Sequence, residues 1–273
     1  MTPGEALFDS LRLGRTLGLH LLEPFDRLRR AALGRRDLPP LWLRRHAGPV
    51  AEYDRAVSDM ETWLDRLGLV RPGDLVLDLG CGAGSMTAAL GRRIGSSGRY
   101  IGIDVHRPSV EWAARRFASD ARFRFEAIEV ASPYGSRRSA PAGQNALPIA
   151  NGAAQFVLAK SLFTHLLEPE AAAYLAEARR VLEPGRAAFV SAFLFEPGSR
   201  ADLGLCPWFR HPEPGYPVRF RFRHRPQAAV AYARSRFVSL VEQAGLRVQW
   251  VCPGYLPGND RLPRGQDLLL LGH

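Results

Sequence analysis

The sequence predicts an α/β protein built on a doubly wound, mostly parallel sheet. Three observations predict it. Short apolar runs alternate with longer amphipathic stretches from residue 51 to the end. One of these runs, Leu75–Leu79, passes straight into a glycine turn and then a helix start. Two runs carry an acid near their carboxyl ends, Asp78 and Asp104, where such sheets gather their ligands.

The elements follow in order. Residues 1–50 are rich in arginine and broken by Pro24, Pro39, Pro40 and Pro49. Within them Glu5 to Leu22 reads as an amphipathic helix, with Leu13, Leu17 and Leu21 at helical spacing and Gly14 and Gly18 weakening it. Such an arm could be a lid, a dimer arm or a surface anchor, or simply an extra helix on the core. Ala51 to Leu67 is a stronger helix, with Tyr53, Val57, Met60, Trp63 and Leu67 on one face. Strand one is Leu75–Leu79; Ser85 to Leu90 begins the helix after the turn. Arg99–Asp104 is strand two, Pro108 to Ala118 a helix, and Phe123, Phe125 and Ala127 alternate as strand three. Ala131 to Asn151 is a long loop of the kind usually tied to function. Gln155–Ala159 is strand four, Pro169 to Leu182 a helix ended by Pro184-Gly185, and Ala187–Phe195 strand five. Glu196 to Pro226 is irregular and proline-rich, and holds the alternating run Arg219 to Arg225. That run reads as an edge strand with arginines on a solvated face. Ala228 to Ala244 reads as a helix, Leu246–Val251 as strand six and Asp267–Leu271 as the last strand.

The turn Gly80-Cys-Gly-Ala-Gly84 carries the first chemical argument. A dinucleotide loop spaces its glycines G-x-G-x-x-G and sets a pyrophosphate on the helix N-terminus. Here the spacing is G-x-G-x-G, and Ser85 stands where the third glycine would be. Asp78, two residues before the turn, would repel a pyrophosphate but suits a cation. S-adenosylmethionine carries both an ammonium and a sulfonium, so it fits the acid better. Asp104 follows Gly80 by 24 residues (104 minus 80), where an acid bonds ribose hydroxyls. A bare strand–turn–helix joint with loop-capping acids is the plainer alternative.

Composition narrows the classes. The chain has 273 residues, is 46% hydrophobic and carries a net charge of +10. No apolar run reaches the roughly 18 residues that span a bilayer, and Leu17 to Leu22 is too short for a secretion signal. A soluble, cytoplasmic protein is expected. Cys81, Cys206 and Cys252 are odd in number and widely spaced, so neither a disulfide framework nor a metal site is indicated. Lys160 is the only lysine; every other basic charge is arginine. With abundant Ala, Gly and Pro, that imbalance looks like base composition, which weakens the charge as a sign of RNA.

The chain resembles the class I S-adenosylmethionine-dependent methyltransferases from about Ala51 to His273. The resemblance rests on Val76-Leu-Asp-Leu-Gly-Cys-Gly-Ala-Gly84, Gly102-Ile-Asp104, Leu147-Pro-Ile-Ala-Asn-Gly152 and Arg180-Val-Leu-Glu-Pro-Gly185. Phe163-Thr-His-Leu166, Pro39-Pro-Leu-Trp-Leu-Arg44 and Gln266-Asp267 are similar to a bacterial subgroup of small-molecule methyltransferases. The resemblance implies a Rossmann-like, seven-stranded sheet of order 3-2-1-4-5-7-6 with the last strand antiparallel. To it are added a helical arm (1–50) and loop insertions near 131–151 and 196–226. It also implies roles. Asp78, Gly80, Cys81, Gly82 and Gly84 would hold the methionine end, Asp104 the ribose, and Val105 the adenine. Glu129, with Val130 beside it, matches a position usually filled by Asp that meets the adenine amino group. Lys160 and Ser161 would line the methionine part. Gln155 departs from the Asp that often opens strand four.

Methyl transfer from a sulfonium needs alignment more than covalent help, but a hydroxyl acceptor gains from a base. His165, just beyond strand four, is the candidate; a packed helix-start histidine is its plainer reading. The expected function is O-methylation of a small molecule such as a natural product, sugar or lipid-linked metabolite. The rivals are an RNA methyltransferase, holding RNA with the basic and aromatic run 219–225, and a protein that binds the cofactor without transferring methyl. Nucleic acid is not the expected partner; a homodimer is compatible.

Overall fold

The computed structural model describes residues 3–35, 37–44, 53–130, 146–197, 209, 216–256 and 265–273, with side chains of 3–16, 53, 255 and 256 excepted. Most of loop 131–151, Cys206 and Trp208 lie outside the described residues. The chain divides into two compact units, Met1–Arg55 and Ala56–His273.

In the first unit, helix α1 (Pro3–Ala32) is followed by the short α2 (Leu41–Arg44). The helix expected to end at Leu22 continues through Pro24. An internal proline forfeits one backbone hydrogen bond at about 3 kcal/mol. Beyond it, Arg30 pairs with Glu23 and Asp26, and Arg44 pairs with Asp26 from α2. Glu23 also accepts the Leu41 N–H at 2.7 Å. Burial works against the Asp26 charge, but hydrogen bonds from Arg44 and Arg30 outweigh it and hold the carboxyl below its usual range.

The second unit is the predicted α/β fold. After α3 (Tyr53–Leu67) come β1 (Leu75–Leu79), α4 (Thr87–Ile94), β2 (Arg99–Asp104), α5 (Arg107–Arg116), β3 (Phe123–Ala127), β4 (Ala154–Ala159), α6 (Glu168–Val181) and β5 (Leu182–Phe195). Then follow β6 (Val218–Phe220), β7 (Val230–Ala233), α7 (Arg234–Gln243), β8 (Arg247–Leu256) and β9 (Gln266–Gly272). Strands β3-β2-β1-β4-β5 run parallel, and antiparallel β9 joins β5 to β8. This is the expected 3-2-1-4-5-7-6 order, with β8 and β9 as the sixth and seventh strands. Helix α3 gives Met60 and Leu64 to a core with Val76, Phe156, Leu158 and Phe189 on one face. Tyr174 and Leu175 of α6, with Phe237 and Leu240 of α7, cover Leu77, Val157 and Val190 on the other.

Two strands, β6 and β7, exceed the expected seven. Besides β4, strand β5 has two partners along its other edge: Ala187–Ala192 pair with β9, and Phe193–Phe195 pair with β7. At the fork the fully buried Asp267 accepts the N–H of Leu194 (2.9 Å) and of Gly254 (2.8 Å). Two sequence expectations are corrected here. Residues 230–233 are strand, not helix, because pairing with the tail of β5 overrides local pattern. The run 219–225 is strand only to Phe220, and Arg219 does not face solvent: it is buried, its guanidinium 4.2 Å from the Phe195 ring centroid.

Candidate functional site

All five parallel strands deliver their carboxyl ends to one edge of the sheet. The order reverses between β1 and β4, and the crevice that such a reversal opens is where open α/β sheets bind ligands. The glycine loop, Asp104, Val105, Glu129, Val130, Lys160, Ser161 and His165 all follow these ends in the chain.

The loop is built from backbone. Gly80 and Cys81 donate their N–H groups to the Ile103 carbonyl at 2.8 and 3.1 Å. Gly82 donates to the Asp104 carboxylate at 2.8 Å, and His106 donates to its other oxygen at 2.7 Å. Asp104 therefore ties β2 to the loop; each carboxylate oxygen has capacity for one more donor, such as a ribose hydroxyl. Gly82 has φ +54°, and a Cβ built on it would meet no protein atom within 4 Å. The loop thus turns its middle glycine toward open space, a cradle that fits the methionine end of the expected cofactor. Cys81 is a buried free thiol, pushed by burial well above its ordinary pKa, and acts as filler against Gly102.

Asp78 is not an open carboxylate. It is 2% exposed and accepts a 2.7 Å hydrogen bond from the buried Tyr100 hydroxyl. Burial raises its pKa to about 7, against the Tyr100 bond and the Lys160 charge. Lys160 is pushed down to about 8 by burial, with Asp78 and Asp59 of α3 opposing that shift. The only lysine therefore lies within electrostatic reach of the acid beneath the glycine loop. Nothing in the sequence singled out Tyr100, which sits mid-strand, 22 residues from Asp78.

At the end of β4, Ser161 is the one non-glycine with positive φ (+58°) among the described residues. That conformation costs on the order of 1–2 kcal/mol. It is held on every side: Ser161 N–H donates to Ser191 Oγ (2.7 Å), and both serine hydroxyls donate to Gln266 Oε1 (3.1 and 2.7 Å). Thr164 also donates to the Ser161 carbonyl at 2.7 Å. Ser191 and Gln266 are site residues that β5 and β9 contribute; only the motif Gln266-Asp267 signalled one of them.

His165 ends a short 3-10 turn, Phe163–His165. Its Nδ1 lies 3.0 Å from the Gln227 carbonyl, which accepts only if Nδ1 carries the proton. Burial lowers its pKa, against the carbonyls of Gln227 and Ala228 and the charge of Asp104. Burial thus favours the neutral ring, and with Nδ1 as donor to Gln227 the lone pair of that form is on Nε2. Gln227 is itself held by Glu170 at 2.6 Å. The motif residues Leu147 and Ile149 are pinned by Arg180, which donates to both carbonyls (3.0 and 2.7 Å). Glu129 is 73% exposed, 3.4 Å from Arg107. Gln155 bridges strands instead of meeting ligand, accepting the Leu75 N–H at 2.8 Å and donating to Glu183 at 2.5 Å. A shallow depression of about 760 Å³ on the opposite sheet edge, lined by Gly91, Gly95, Phe117 and Arg122, contains none of these groups.

Parallel order, glycine cradle and the acids at the strand ends form the edge of a Rossmann-like α/β sheet. Residues 76–185 match the family model described as "Methyltransferase domain". An uncharacterized 37.1 kDa protein in a transposon of Streptomyces fradiae is 35% identical over 136 residues, half of this chain and 34% of that protein. An uncharacterized RNA methyltransferase of Streptomyces coelicolor is 41% identical over 80 residues, 29% of this chain and 18% of that one. The chain thus spans about a third or less of these curated relatives. A solved SAM-dependent methyltransferase from Aquifex aeolicus has a TM-score of 0.52 at 19% identity, covering 86% of this chain and 98% of that one, a likeness of fold. No helix among the described residues is long and apolar enough to cross a membrane.

Proposed function

We propose that the chain is an S-adenosylmethionine-dependent methyltransferase acting on a hydroxyl of a small molecule. The observation that carries the acceptor side is the 3.0 Å contact of His165 Nδ1 with the Gln227 carbonyl: with Nδ1 as the donor, a neutral ring has Nε2 as its proton acceptor. The cofactor supplies a methyl group already activated as a sulfonium. The glycine loop and Asp104 would hold and orient it, Val105 and Glu129 with Val130 would take the adenine side, and Lys160 and Ser161 would border the methionine part. Asp78, when ionised, would balance the ligand's positive charge from beneath the loop. Fixing acceptor oxygen and methyl carbon at near-attack distance supplies most of the acceleration. His165 Nε2 would take the hydroxyl proton as the acceptor oxygen gains the methyl group, whose bond to the sulfonium sulfur breaks to leave a neutral thioether.

The RNA reading loses part of its support. The buried Arg219 cannot meet a phosphate. The test is an acceptor screen: small-molecule extracts and total RNA, each incubated with cofactor carrying an isotopically labelled methyl group and followed by mass spectrometry. Label in a small hydroxylated molecule is the expected result. Label confined to RNA selects the rival, and cofactor binding without any labelled product selects a non-transferring protein.

A further inference from the structure

The first unit carries an exposed apolar stripe on α1. Leu17, Leu21, Phe25 and Leu28 follow one another at steps of four, four and three along α1, so they form one stripe. They are 55%, 75%, 70% and 70% exposed. Leu22 and Leu33, also exposed, widen the stripe on one flank. Five large apolar side chains on one helix, with Leu33 just past its end, exceed what solubility tolerates without a purpose.

The charges beside the stripe have one sign. Arg29 stands among the leucines on one flank and Arg27 on the other, both exposed. The two acids of the same stretch, Glu23 and Asp26, are turned inward, spent on Arg30, Arg44 and the Leu41 N–H. The buried ion cluster therefore does two things. It holds α2 against α1, and it strips the outer face of negative charge.

We propose that this face of α1 docks on an anionic lipid surface. The helix would lie in the headgroup plane, with Leu17, Leu21, Phe25 and Leu28 toward the acyl chains and Arg27 and Arg29 on lipid phosphates. A second copy is the poorer occupant. Helix pairs set their register with opposite charges flanking the apolar seam, and two copies of this face bring arginine against arginine. The docking surface stands on α1 alone and does not depend on which acceptor the catalytic unit takes.

The test uses the full chain and sedimentation with two kinds of vesicle, phosphatidylcholine alone and phosphatidylcholine with phosphatidylglycerol. Binding is expected to the anionic vesicles, weakening as salt rises. Leu21→Glu with Leu28→Glu should lower it about tenfold or more, and Arg27→Glu with Arg29→Glu should abolish the preference for anionic lipid. Circular dichroism and S-adenosylmethionine affinity of both variants should match the parent, since neither pair touches the buried ion cluster or the second unit's cradle. Equal binding to both vesicles, or binding to neither, overturns the proposal. So does a parent that is dimeric by analytical ultracentrifugation and becomes monomeric in Leu21→Glu/Leu28→Glu, which assigns the face to a second copy.

Discussion

The two sides of the sheet's carboxyl edge are assembled by different means. On the β1–β2 side the edge is nearly all backbone: Gly80 and Cys81 bond to Ile103, and Gly82 bonds to Asp104, 22 residues away. On the β4–β5 side it is made of side chains from distant stretches. Ser161 meets Ser191 and Gln266 across 30 and 105 residues, and His165 meets Gln227 across 62. Under the proposed function the first side is the cofactor's, whose shape never changes, and short-range geometry is enough for that. The second is the acceptor's, and it draws on elements that meet only when the sheet is complete.

If the division is real, His165→Ala strikes turnover alone. We expect kcat to fall by about 10² to 10⁴ with cofactor affinity unchanged, measured on the acceptor that the labelling screen identifies. An unaltered kcat would return His165 to the role of a packed histidine. Asp104→Ala strikes the other side. It removes two backbone hydrogen bonds to a carboxylate as well as the proposed ribose contact, so calorimetry should show S-adenosylmethionine affinity reduced about ten- to a hundredfold. Retained affinity would mean that Asp104 only caps the loop.

A smaller effect, in pH, tests whether the sides are coupled through Lys160. Asp78 titrates near 7 and Lys160 near 8, and the groups around them are Tyr100, Cys81, Asp104 and Asp59. Raising the pH from 6 to 9 ionises the acid and then discharges the amine, so the space beneath the loop grows more negative at both steps. Affinity for the cationic S-adenosylmethionine should rise about three- to tenfold over that range, and affinity for S-adenosylhomocysteine, which lacks the sulfonium, should rise less. The ligand-free protein should lose stability between about pH 4 and pH 7 through Asp78, while the lowered Lys160 pKa adds stability above about pH 8. The Asp78 pKa is raised on folding, so its contribution to stability is full below pH 4 and is lost as pH climbs through about 7. In Asp78→Asn that part of the decline in melting temperature should vanish.

The same contrast explains what could be read in the chain. The glycine turn, Asp104 and the order of the elements are legible because hydrophobic period and turn chemistry are local. So is His165, by its place after β4. Tyr100 was not legible: nothing about a tyrosine in a buried strand says that its hydroxyl meets an acid on the neighbouring strand. Residues 230–233 look helical in their own window, and only the free tail of β5 makes them a strand. Arg219 reads as solvated because alternation reports two faces but not which one is covered; Phe195 covers it. Helix α1 outruns Pro24 because Arg30 and Arg44 secure the following turns from the side.

The fork in β5 has a consequence for the site. Below Phe193 the strand is locked between β4 and β9, and above it only three rungs join it to β7. The β6–β7 hairpin brings Gln227 to His165 but pairs with no strand of the cofactor side. It is a cartridge in a socket. Asp267 seals the socket by satisfying Leu194 whatever is inserted. Under the proposed function, a change in the hairpin alters what meets His165 while every hydrogen bond of the cradle stays as it is.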